Sequence, residues 1–192
     1  MALRTKPLTF TQRYGFMDED HQASKHDEIM LWLDENMGRI VQRIYGNDWN
    51  QKKRQQSFEY YKKVYARKSE RDLKMPPLPK KPPIKVLSKE WEYAITNKYR
   101  DMVGFIDMRV CVEVPHLVLD QFGAGFRWQF IKPITRPIHF EVKSRISSLG
   151  EVIRQVRMYQ AHVSGPFIIV SPDDRFQKMI RQQKIGFIKY PY

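Results

Sequence analysis

A single cysteine, Cys111, is all the thiol chemistry the chain has. One cysteine excludes an intrachain disulfide and any cysteine-only zinc or iron–sulfur site. Long apolar runs are missing too. None approaches the roughly 18 residues of a membrane span, and the longest, such as 167–170, have strand length. The opening MALRTKPLTF holds no apolar stretch of the kind a secretory signal carries. No G-x-x-x-x-G-K-[ST] loop is present, which argues against a P-loop ATPase and a nucleotide cofactor. No G-x-S-x-G elbow is present either. Acids are in short supply: 21 against 34 lysines and arginines, a formal net charge of +13 in 192 residues. The pI is about 9.8. Such an excess suits a polyanionic partner. Nucleic acid is favoured over an anionic membrane because no lipid-anchoring motif accompanies the charge. A cytoplasmic location without membrane attachment is the expectation.

A chain of this length fits one domain and buries a core unaided. Residues 1–23 are polar and irregular, and are expected as a flexible arm. A helix is predicted from Ser24, with Asp27 three residues on as a capping partner. Ile29, Trp32, Leu33, Ile40 and Ile44 keep helical spacing, and Gly46-Asn47 ends it. Residues 50–74 read as a second, very basic helix with Phe58, Tyr60, Tyr61, Val64 and Tyr65 in its middle. PPLPKKPP at 76–83 is a stiff, extended connector. Strands are predicted at 91–96, 103–114 and 137–142. Between the last two lies a loop or hairpin insertion with Gly123-Ala124-Gly125, Phe122, Phe126, Trp128 and Phe130. A helix over 147–163 opens on a Ser148/Glu151 capping box. A core strand at 167–170, a short helix at 175–183 and an edge strand at 185–190 follow. This order predicts an α/β fold with a mixed central sheet flanked by helices, as a single domain over 24–192.

Three short stretches carry chemistry: Gly104-Phe105-Ile106-Asp107, Phe140-Glu141-Val142-Lys143 and Gln155-Val156-Arg157-Met158-Tyr159. Asp107 and Glu141 sit inside apolar strands, where an unpaired carboxylate is costly. Glu141 and Lys143 are two apart on a strand and therefore share a face. By itself an E-x-K triplet is most often an ordinary ion pair. A second carboxylate on a neighbouring strand changes its meaning. Two carboxylates and a lysine at one end of a sheet can hold a hard divalent cation and set a charged donor beside it. Gln155 and Tyr159 are four apart on the following helix and share its face.

The order G-F-I-D, F-E-V-K, Q-V-R-M-Y resembles the PD-(D/E)xK nucleases, and within them the RecB-type branch. The likeness covers roughly 24–171 in element order, with the motifs inside 104–159. It implies a restriction-endonuclease-like core with a basic helical N-terminal appendage. It also implies a metal-dependent DNA nuclease, with ties to recombination or repair and to viruses, whose host cytoplasm would then be the location. In such enzymes the acidic pair, here Asp107 and Glu141, binds Mg²⁺ or Mn²⁺, and the backbone carbonyl of Val142 adds a ligand. Lys143 stabilises or positions the attacking water, while Gln155 and Tyr159 line the site. The proline that usually precedes the first aspartate is replaced by Ile106. The cysteine cluster of the CRISPR-associated members is absent, so no iron–sulfur cluster is expected. Oligomeric state stays open, since toroidal exonucleases and dimeric endonucleases share this core.

RecB-type enzymes often add a histidine ligand from the first helix. Here the candidates are His26 and, alternatively, Glu28. At about 100° per residue, His26 falls on the stripe of Ile29, Leu33, Ile40 and Ile44, whereas Glu28 falls about 100° beyond its edge. The basic helix, through Lys62, Lys63, Arg67 and Lys68, is the expected DNA-binding surface. Backbone contacts of this kind imply weak sequence specificity. The alternative reading is a catalytically inactive basic DNA-binding or packaging protein on the same fold.

Overall fold

The computed structural model describes residues 20–46, 51–65, 74–122 and 125–191. The elements are α1 (Asp20–Ile44), α2 (Gln51–Tyr65), β1 (Lys85–Thr96), β2 (Met102–Phe122), β3 (Gly125–Val142), α3 (Leu149–Gln160), β4 (Phe167–Ser171), α4 (Gln177–Gln182) and β5 (Gly186–Lys189). The fold is α/β, with the strands in the order β1-β2-β3-β4-β5 in one sheet. β3 and β4 run parallel, with Glu141 opposite Ile169, and β5 runs parallel to β4 at the edge. The chain between β1 and β2, and between β2 and β3, is too short for a crossover, so those neighbours are antiparallel and the sheet is mixed. Among the described residues no helix is long and apolar enough to cross a membrane.

Contacts divide the chain into two compact units. One comprises Met1–Glu35, Ser88–Cys111 and Pro137–Tyr192, the other Asn36–Leu87 and Val112–Arg136. A single domain over 24–192 is the sequence expectation. The division arises because β2 and β3 continue beyond the predicted strands as a long hairpin with its own buried set, including Val112, Val114, Leu117 and Leu119. In β2 the buried positions step by two from Ile106 to Val114, then shift phase by one at Pro115-His116 before Leu117 and Leu119. A proline lacks the N–H that a regular ladder needs, and such a phase shift accommodates it.

In the first unit, α3 and α4 cover the sheet through Val152, Val156, Tyr159 and Ile180, which pack with Ile106, Phe167, Ile169 and Phe187. α1 begins at Asp20, earlier than the expected Ser24, because nothing in Asp20-His21-Gln22-Ala23 stops a helix. Its Ile29 and Leu33 are fully buried, as their spacing dictates. Ser148 caps α3 as expected, its hydroxyl accepting from the Glu151 amide at 3.4 Å.

In the second unit, α2 lies on the hairpin. Phe58 is buried edge-on against Phe126, ring centroids 5.9 Å apart. Arg54 donates to the Leu117 carbonyl at 3.1 Å and stacks over Trp128, whose indole N–H donates to the Pro76 carbonyl at 3.1 Å. Residues 74–84 have no regular structure, in keeping with their prolines. The Gln42 amide, which donates to the Ile84 carbonyl at 3.0 Å, ties them down further.

Candidate active site

The E-x-K stretch ends β3. Val142 turns into the core, which sends Glu141 and Lys143 to the face covered by α3. Glu141 is only 3% exposed. Its Oε1 accepts from Lys143 Nζ at 2.8 Å and from Gln155 Nε2 at 2.9 Å. Gln155 Nε2 also lies 3.0 Å from the Tyr159 hydroxyl, so one turn of α3 supplies both polar groups. The Tyr159 ring rests on Gly104, where an added Cβ would stand 2.9 Å from Cε1 of that ring. The glycine of G-F-I-D is therefore the seat of the tyrosine.

Asp107 comes from β2. Its Oδ2 accepts from the Val142 amide at 2.6 Å, which locks the carboxylate beside the E-x-K strand. Its Oδ1 lies 3.3 Å from Nε2 of His26 on α1. The other ring nitrogen of His26 faces Asp27 Oδ1 at 3.8 Å. Glu28, the alternative first-helix residue, turns away. It accepts from Lys25 at 2.9 Å and from the Tyr190 hydroxyl. The structure thus brings His26, Asp107, Glu141, Lys143, Gln155 and Tyr159 together and leaves Glu28 outside. Of the expected DNA surface, Lys62 and Lys63 lie on α2 in the second unit, while Arg67 and Lys68 lie outside the described residues.

Charge is tightly managed here. Burial, then the neighbouring Asp107 carboxylate, push the Glu141 carboxyl up to about 7 despite the Lys143 ammonium. Burial pulls Lys143 down, but Glu141 and Asp107 outweigh it, and the ammonium is held above its ordinary value. Burial likewise opposes the charged form of His26. Its hydrogen bond to Asp107 and the charges of Asp107 and Asp27 win, and it is raised. Burial raises the Tyr159 phenol, which stays neutral at pH 7.

The second oxygen of Glu141, Oε2, is buried without a hydrogen-bond partner. An orphaned carboxylate oxygen beside a second carboxylate fits a hard divalent cation, which takes one or two carboxylates and fills its shell with carbonyl, water and phosphate oxygens. Among the described residues no three His, Cys, Asp or Glu side chains converge tightly enough to hold a metal alone. Asp107, Glu141 and a backbone carbonyl are donors of the kind such an ion takes.

Two supporting residues are not marked as such by the sequence pattern. Gly104 is one. Asp173, in the turn after β4, is the other. It accepts from the Ile146 amide at 3.2 Å and from Arg175 at 2.7 Å, fixing the chain just after Lys143. The Ser171-Pro172-Asp173 turn signature is its only trace in the sequence. No protein-family model, no curated protein and no solved structure matches the chain.

Proposed function

We propose that the chain is a metal-dependent deoxyribonuclease on a restriction-endonuclease-like core, of the RecB-like kind within the PD-(D/E)xK superfamily. One observation carries this reading: a nearly fully buried Glu141 whose one oxygen is held by Lys143 and Gln155 while the other is buried without a hydrogen-bond partner, with the Asp107 carboxylate near enough to raise its pKa. A structural ion pair would satisfy both oxygens, because burying an unpaired one is costly.

Asp107, Glu141 and the Val142 carbonyl would hold Mg²⁺ or Mn²⁺, with His26 beside Asp107 to orient that carboxylate. An ion held there would supply Lewis acidity to the phosphodiester and to its attacking water. The chain's own groups do the rest. Lys143, held protonated by the two carboxylates, is a donor for the attacking water or the scissile phosphate and not a base. Gln155 fixes the Glu141 carboxylate from behind, and Tyr159 orients Gln155. The Val142 amide keeps Asp107 in register with them. DNA is the substrate class that the net charge of +13 suits, with contacts to the backbone and little sequence preference.

The test is incubation with end-labelled linear and closed-circular DNA in Mg²⁺, Mn²⁺ or EDTA. Cleavage in metal and none in EDTA is expected, and none in Lys143→Ala. Opening of the circle marks an endonuclease, and release of the linear end label alone marks an exonuclease. Near wild-type cutting by Lys143→Ala would overturn the assignment. Binding without cleavage in either metal would favour the inactive DNA-binding reading.

A further inference from the structure

The turn between β1 and β2, residues 97–101, opens the strand that carries Asp107 and belongs to the same unit as the site. Beside it stand the two most exposed large apolar side chains of the described residues, Tyr99 at 72% and Met102 at 63%. Exposed apolar residues are ordinary when scattered. These two share one tight turn, and the turn is clamped. Asn97 Oδ1 accepts from the Tyr99 amide at 2.8 Å and from the Asp101 amide at 3.0 Å, and Asn97 Nδ2 donates to the Asp101 carboxylate at 3.0 Å. The Asn97 amide donates to the Asp101 carbonyl at 2.9 Å, and the Arg100 amide donates to the Asn97 carbonyl at 3.0 Å. This network holds Arg100 at φ 71°, in the left-handed region that side chains rarely adopt. The Tyr99 ring is thus offered to solvent on a preorganised backbone, which lowers the entropy lost when a partner docks on it.

The charges around the ring favour an anionic partner that also has flat faces. Lys98 and Arg100 flank Tyr99 in the chain and are exposed, and Lys98 Nζ lies 4.9 Å from the ring centroid. Asp101, the one carboxylate of the turn, is engaged by Asn97. Cation, ring and cation in succession match a nucleic-acid strand, whose phosphates meet the cations while a base stacks on the ring.

We propose that this turn is a stacking finger that grips an unpaired base of the DNA strand bound at the site. The inference rests on the DNA-binding half of the proposed function and adds the form of the substrate. Inside a duplex both faces of a base are covered by its neighbours in the stack, so a ring reaches one only at an end, a gap or a single strand. Met102 stands five residues from Asp107 along β2, about 17 Å at the rise of a strand. At the 3.4 Å spacing of a B-form strand that is about five nucleotides, which sets the separation between the gripped base and the scissile phosphate.

The test is binding of three labelled probes to the full chain in EDTA. They are an oligothymidylate, a strand of the same length with abasic sites in place of its bases, and a covalently closed duplex circle. The wild type should prefer the oligothymidylate to the abasic strand by about tenfold, the scale of one base stack. Tyr99→Ala should lose about that factor on the oligothymidylate and nothing on the abasic strand. Tyr99→Phe and Tyr99→Trp should keep the preference. Unchanged binding of the abasic strand separates loss of the ring from failure to fold. A Tyr99→Ala protein that retains the wild-type preference overturns the proposal. So does a wild type that binds the two single strands equally, or one that binds the duplex circle and neither single strand, and both results leave the nuclease reading standing. A wild type that binds no DNA in any form removes the finger and the nuclease reading together.

Discussion

Gly104→Ala is the sharpest test of how the site is held. The new methyl would stand 2.9 Å from Cε1, 3.1 Å from the hydroxyl and 3.3 Å from Cζ of Tyr159. The ring has nowhere to retreat. It is 5% exposed, stacks on Phe167 at 6.4 Å and is tied by its hydroxyl to Gln155 at 3.0 Å. Forcing a methyl into such a packed region costs about 1–3 kcal/mol. Tyr159→Ala alone should cost about 3–5 kcal/mol, as for other large aromatics. Without the ring, however, the methyl has room. The double variant should then be no less stable than Tyr159→Ala, giving a coupling of about 1–3 kcal/mol between the two positions. Urea denaturation of the wild type, the two single variants and the double variant measures this directly. Additive effects, or a Gly104→Ala destabilisation below about 0.5 kcal/mol, the usual range for unremarkable surface changes, would refute the claim that the glycine seats the tyrosine.

Other outcomes follow from the same geometry. Asp107→Ala, Glu141→Ala and Lys143→Ala are each expected to abolish DNA cleavage in Mg²⁺ while leaving filter-bound DNA largely unchanged. For Lys143 the drop in rate should be on the order of 10²–10³ or more, the effect of removing one charge-stabilising donor. Asp173 is held well below the usual carboxylate range by Arg175 and by the amides of Ile146 and Arg175. Asp173→Asn should therefore destabilise at pH 7, but by no more than about 1 kcal/mol, because the Arg175 pair is solvent-screened. A depressed folded value means that this stability is present above the unfolded pKa of about 3.9 and fades as pH falls through and below it. Thermal melts of wild type and variant should accordingly converge toward a pH of about 2. Replacing Lys62, Lys63, Arg67 and Lys68 with alanine should weaken DNA binding equally across sequences and flatten its salt dependence in an anisotropy titration. Unchanged affinity and slope would show that this stretch of the chain is not the DNA track.

Much of this site is legible from spacing alone. Glu141 and Lys143 have to share a face because a strand alternates, and Gln155 and Tyr159 have to share one because a helix turn is close to four residues. The Ser148/Glu151 box marks where that helix starts. Helical phase separates His26 from Glu28, and the two do face different partners. The sheet's extent is less legible. The predicted strands stop at 114 and start at 137, yet β2 runs on through Pro115, where a phase shift absorbs the missing N–H, and β3 begins at Gly125. Gly104 is opaque for another reason. Local pattern records that a glycine is present, but its need arises from an aromatic side chain 55 positions downstream.

The bond from the Val142 amide to Asp107 Oδ2 has a use beyond holding the carboxylate. It couples a backbone proton of the central sheet to the charge of a site side chain. A short, charge-assisted bond shifts an amide resonance strongly downfield, and that shift tracks the electron density on the acceptor. Any species that competes for the Asp107 carboxylate lengthens or weakens this bond. The Val142 amide is thus a native spectroscopic gauge of site occupancy, readable in a nitrogen–proton correlation spectrum without substrate or turnover.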